Sequence, residues 1–225
     1  MSESNLEPFH FYTRQNLIYL TGRKAKNISE LLAGIKELPL SSIYHHTHHY
    51  LEQFEFLTPE PPNDYAYWIK NILQDRLLGE EIASLDLSQF STLEEIRNKI
   101  IEIIEVSVQR NTESLQRSAP PGEEFYFKKA RSFISQTKYI SNNLTEFLEC
   151  LKNVSIYSIY FHVFESRLRG SNSDFSTWLA TSLNETELAR EFLRLDPYLQ
   201  TLDSLRKFFV GLIENRLKEN TNART

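Results

Sequence analysis

Cysteine, methionine and glycine are all scarce in this chain of 225 residues, which has one, one and six of them. A single cysteine, Cys150, excludes an intrachain disulfide and fits a reducing compartment. It lies among apolar residues at helical spacing, so packing is its expected role. No run approaches the roughly 20 apolar residues of a membrane span. The opening Met1 to Pro8 has neither the basic region nor the apolar stretch of a secretory leader, so a cytoplasmic location is expected. Lys and Arg together number 25 against 30 Asp and Glu, and no dense basic stripe occurs. Nucleic acid is therefore not an expected partner. Glycine-rich phosphate loops, the Gly-x-Ser-x-Gly elbow and His-Glu-x-x-His are all missing, which removes the enzyme classes that depend on them.

What the chain does have is repetition. Displacing it by 116 residues sets Phe9–Leu51 against Phe125–Arg167 without a gap, and twelve of those 43 positions are identical. The densest match is Ser42-Ile43-Tyr44-x-His46 with Ser158-Ile159-Tyr160-x-His162. At an offset of 110 the copies meet again, with Asp64 and Trp68 answering Asp174 and Trp178. Such self-similarity indicates tandem duplication of one structural unit.

The periodicity predicts an all-α fold of two copies, each of about five or six helices, related by a pseudo-two-fold. The boundaries are 9–110 for the first copy, 111–124 for a linker containing Ser118-Ala119-Pro120-Pro121-Gly122, and 125–217 for the second, or one fused domain. Phe9–Leu20 begins with strand-like alternation. Phe11, Leu17 and Leu20 nevertheless fit a helical stripe, so a helix ending at Gly22 is expected. Asn27 and Glu30, repeated as Asn143 and Glu146, have the spacing of a capping box. Pro39 stops the helix that follows. Ser42 and Ser158 are expected to cap the next helix, and Asp64 and Asp174 the one after.

All six histidines fall in the duplicated blocks, but only His46 and His162 are equivalent. Lying on inward stripes with Ile43 and Ile159, they are expected to be buried and to need hydrogen-bond partners, Asp64 or Asp174 or a nearby tyrosine hydroxyl. His46, His162, Tyr44, Tyr160, Asp64, Asp174, Trp68 and Trp178 thus form a candidate constellation. It reads as a structural joint or as a pocket for a ligand, and the joint is favoured. His45, His49 and Glu52 share a helical face at spacings that can hold a zinc, nickel or copper ion. The plainer account is a partly exposed helix face that captures metal adventitiously. Thr21–Lys26, a basic turn, could receive an anion, although a simple turn between helices is the favoured account.

Phe-His-Phe-Tyr, Leu-Thr-Gly-Arg-Lys-Ala, Ser-Ile-Tyr-His-His-Thr-His and Pro-Glu-Pro-Pro-Asn-Asp-Tyr-Ala-Tyr-Trp together resemble a prokaryotic family catalogued only as a domain of unknown function. The resemblance spans about Phe9 to Leu217. It implies a small soluble protein and brings no activity, cofactor or catalytic residues. The residues themselves favour a non-enzymatic binding or regulatory module for a protein or small molecule, with no cofactor. The alternative is a metal-dependent enzyme or metal-binding protein that uses His and Asp with a divalent transition metal.

Overall fold

The computed structural model describes residues 7–53, 63–168, 173–194 and 200–222, with the backbone alone for 49–53 and 222. It is mixed α/β, which corrects the all-α expectation. Phe9–Ala25 forms strand β1 and Phe125–Ser141 forms strand β2, each of 17 residues, paired in a two-stranded antiparallel sheet. Thr21 Oγ1 donates to the Phe127 carbonyl at 2.8 Å, and Thr137 Oγ1 donates to the Phe11 carbonyl at the same distance. These equivalent bonds fix one register. The alternation read at Phe9 and Phe11 was therefore the true signal, and the helical stripe was false. Leu17 and Leu20 are 51% and 68% exposed, so they belong to no core. Thr21–Lys26 is likewise no turn between helices, since Thr21 to Ala25 complete β1.

Helices follow each strand in the same order. After β1 come α1 (Ile28–Glu37), α2 (Leu40–Gln53), α3 (Asp64–Asn71), α4 (Arg76–Ala83) and α5 (Leu93–Arg110). After β2 come α6 (Leu144–Asn153), α7 (Ile156–Tyr160), a π-helical turn at Phe161–Glu165, α8 (Ser166–Leu168), α9 (Asp174–Thr181), α10 (Thr186–Arg194) and α11 (Leu202–Asn222). Asn27 and Asn143 cap α1 and α6 by accepting from the amides of Glu30 and Glu146. Each glutamate then reaches back one residue further than expected, to the Lys26 or Asn142 amide. Arg97 and Arg206 satisfy the carbonyls that α1 and α6 leave open, bonding Leu38 and Val154 respectively. No helix among the described residues is long and apolar enough to cross a membrane.

The compact units do not follow the duplication boundary. One runs from Asn16 through α5 to Ser132; the other takes the chain up to Gln15 and from Phe133 onward. Each unit therefore packs one copy's helices around the leading residues of the other copy's strand. In the first of these, Phe125 stacks on Tyr65 at 5.3 Å and meets Trp68 edge-on at 5.7 Å, while Phe127 reaches α1. In the second, Phe9 packs on Phe147, Phe175 and Trp178 with ring centroids 5.4 to 5.5 Å apart. An isolated two-stranded ribbon is marginal in water. Here the strand ends are buried in helical cores, and Leu17 to Leu20 lie exposed between them. Residues 111–124, expected as a linker, are packed in the first unit, where Ser114 Oγ donates to Asp75 and the Ala119 amide donates to the Lys26 carbonyl.

Gly34 shows how tight that packing is. A β-carbon there would lie 2.2 Å from Phe127 Cζ. Helix propensity alone would make Gly34→Ala stabilising by up to about 1 kcal/mol. Overpacking against a buried ring reverses the sign, and the expected result is a loss of about 1–3 kcal/mol in denaturant unfolding. A stabilised variant would show that Phe127 does not occupy this place.

Candidate functional site: a clamp on the strand main chain

Ser42 and Ser158 lie inside their helices rather than at the caps, contrary to expectation; Ser155 caps α7 by accepting from the Tyr157 amide. The repeated serines act on the strands. Ser42 Oγ donates to the Lys128 carbonyl at 2.7 Å, and Ser158 Oγ donates to the Tyr12 carbonyl at 2.6 Å. Four residues further along the same face, a histidine takes the amide of that same strand residue. The Lys128 N–H donates to His46 Nε2 at 3.0 Å, and the Tyr12 N–H donates to His162 Nε2 at 2.9 Å.

The aspartates complete the arrangement, and here too the capping expectation is corrected. Asn63 caps α3 by accepting from the Ala66 amide, and Ser173 stands at the cap position of α9 without a capping bond. Asp64 and Asp174 are the first helical residues and turn to the imidazoles instead. His46 Nδ1 lies 2.7 Å from Asp64 Oδ2, and His162 Nδ1 lies 2.9 Å from Asp174 Oδ2. A backbone amide can only donate, so Nε2 must accept and the proton of each neutral ring sits on Nδ1, facing the carboxylate. Both imidazoles are 2% exposed, and burial makes that pairing costly to lose. One turn into each of these helices an indole completes the grip, with Trp68 Nε1 donating to the Glu123 carbonyl at 2.8 Å and Trp178 Nε1 to the Glu7 carbonyl at 2.7 Å.

The predicted constellation is thus brought together in two sets, each within its own unit, except that the tyrosines serve elsewhere. Tyr44 stacks on His48 at 5.3 Å, and Tyr160 stacks on Phe164 at 5.0 Å. Tyr65, whose hydroxyl has no hydrogen-bond partner among the described residues, is wholly buried, and burial beside the Asp64 carboxylate raises its pKa well above the usual phenol range. Its counterpart Phe175 carries no such group. In the second unit the strand gains an ion pair between Arg14 and Glu165, both about nine-tenths buried. The residues that sequence reasoning missed are the gripped ones. Tyr12 and Lys128 contribute only main-chain atoms, so no side-chain pattern announces them.

The outer histidines behave differently from expectation. His45 is 3% exposed, not part of a solvated face; His49 and Glu52 have side chains outside the described residues. His45 instead joins His46 and Asp64 in a group whose ligand atoms lie within 4.8 Å of one another. Two imidazoles and a carboxylate are a familiar donor set for zinc or iron. The tautomer argues against that use. While Nε2 of His46 accepts from Lys128, its Nδ1 carries a proton, and a metal there would demand either an imidazolate or release of the strand. Cys150 is equally unsuited to chemistry, because burial, with Glu146 and Glu149 nearby, pushes its thiol pKa up and keeps it protonated.

The sequence profile of DUF5752, a family of unknown function, matches residues 6–214. The chain belongs to that family. No curated protein matches the DUF5752 chain described above. Among solved structures it is similar to one titled the structure of OrfY from Thermoproteus tenax, with a TM-score of 0.78 and 26% sequence identity, covering 95% of this chain and 97% of that one.

Replacing either clamp histidine leaves a buried main-chain amide without its acceptor. His46→Ala and His162→Ala are each expected to cost about 1–3 kcal/mol in stability. Amide hydrogen exchange gives the sharper reading: protection should fall at Lys128 in the first variant and at Tyr12 in the second. Unchanged protection at both amides would exclude the clamp.

Proposed function

We propose that this DUF5752 protein is a non-enzymatic binding module that offers its strands to a protein partner. The observation that carries this reading is the exposure of large apolar side chains on the ribbon. Leu17, Ile18, Tyr19 and Leu20 project from β1 in one unit, and Phe133, Ile134 and Ile140 from β2 in the other, all at least 42% exposed. Contiguous apolar residues that folding leaves in water mark places where something else binds. Among the described residues each strand of the two-stranded sheet also has one edge without a partner strand, which suits recognition by strand addition.

The same geometry counsels against catalysis by the histidines. A general base needs a lone pair available to substrate, and Nε2 of each clamp histidine is committed to the strand. Metal-dependent chemistry at His45, His46 and Asp64 is the second reading, supported by their proximity and opposed by the tautomer.

The test is capture from lysate with the full chain as bait. Leu17→Glu with Leu20→Glu should abolish capture of a stoichiometric partner while leaving the melting temperature within a few degrees, since neither side chain is in a core. Capture that survives the substitutions, in a variant that still folds, would contradict the reading.

A further inference from the structure

The two clamps are built alike, but the space beside them is not. In the unit that runs from Phe133 onward, a hollow of about 400 Å³ opens against the clamp, lined by Phe9, Tyr12, Ile134, Phe161, His162 and Asp174 among others. That volume is in the range of small-molecule sites. Three of its walls are aromatic: Phe9 lies 4.9 Å from the His162 ring, and Tyr12 and Phe161 stand 6.2 Å apart, inclined at 46°. The floor carries charge. Nε2 of His162 accepts from Tyr12, so the imidazole is neutral and the His162–Asp174 pair bears the single negative charge of the carboxylate, whose side chain is 29% exposed. Neither lysine nor arginine is among the described residues lining the hollow.

The backbone is also shaped differently here. Phe161 and His162 open the π-helical turn Phe161–Glu165, whereas the matching residues His45 to His49 continue an ordinary α-helix. Such single π turns recur at functional sites. In the other unit, Tyr12 and Phe161 are answered by Lys128 and His45. There the chain places a cationic residue where the hollow has an aromatic wall.

We propose that this hollow is a binding site for a small organic cation of the alkylammonium class, held by the faces of Tyr12, Phe161 and Phe9 and by the Asp174 carboxylate. Aromatic faces attract an ammonium through their quadrupole, more strongly as it is desolvated, and a carboxylate adds direct attraction. An anion would meet Asp174 and no described lysine or arginine. The clamp reads only the main chain of Tyr12, so this ring can change without loosening the strand. The hollow shares Ile134 with the β2 side of the protein-binding face proposed above, but that reading is tested at Leu17 and Leu20, which belong to the other unit and do not line the hollow.

The experiment is calorimetric titration of the full chain with choline and with its uncharged isostere 3,3-dimethyl-1-butanol. Choline should bind saturably at one equivalent per chain and at least about tenfold more tightly than the alcohol, the difference a cation–π contact of modest size makes. Tyr12→Lys and Phe161→His each install the residue that the other unit uses. Each should weaken choline binding about tenfold or more; Tyr12→Lys should preserve the melting temperature, whereas Phe161→His should lower it, because that ring is 5% exposed. If Tyr12→Lys does not fold, Phe161→His decides. Equal affinity for the two probes, no saturable choline binding, or unchanged affinity in a folded variant would each overturn the proposal.

Discussion

A neutral imidazole can accept a hydrogen bond at one nitrogen only while the other holds the proton, and both units of this protein are built on that constraint. The aspartate at the start of the following helix keeps the proton on Nδ1, so Nε2 is left to receive the amide of a strand residue. The serine one turn earlier donates to that residue's carbonyl. One peptide position is thus read on both its polar groups. Its side chain is left out of the reading, which explains how the same clamp holds Tyr12 in one unit and Lys128 in the other. Burial turns the arrangement into a requirement, because any member that is lost leaves a partner unsatisfied in the core.

Strand ends held in this way can serve as wedges. Phe9 and Phe125 enter rings of aromatic side chains, and Gly34 is small because Phe127 comes so close. Because each set of helices takes the strand of the other copy, neither duplicated segment has its full core without the other's leading residues. The arrangement also leaves Leu17 to Leu20 outside the cores. Leu17, Ile18 and Leu20 can remain in water there, at some cost in solubility, which is why a partner for that face is the reading adopted.

Much of the site was legible in the sequence, and the strands were not. His46 and His162 stand out by their equivalence under duplication and are expected to be buried; of the expected partners, an aspartate or a tyrosine hydroxyl, the aspartates are the ones found. Ser42, Ser158 and both aspartates were assigned to helix caps because residue type at a helix start usually means capping; tertiary bonds took them instead. Strand β1 was misread because only its first residues alternate between core and surface. From Gln15 to Leu20 the ribbon is largely bare on both faces, so period two vanishes and a chance spacing of Phe11, Leu17 and Leu20 imitates a helix. Exchange of strands between copies has no signature in one sequence, since the offset of 116 residues is the same whichever helices receive them. His45 looked like part of a surface cluster by its neighbours' polarity, yet helix α2 is buried around it.

The exchange is the central claim, and ring contacts read by nuclear Overhauser effects test it most directly. With aromatic protons assigned, the indole of Trp178 should show cross-peaks to Phe9 and Phe147, and that of Trp68 to Phe125. Cross-peaks from Trp178 to Phe125 and from Trp68 to Phe9, each strand lying with the helices of its own copy, would contradict the account.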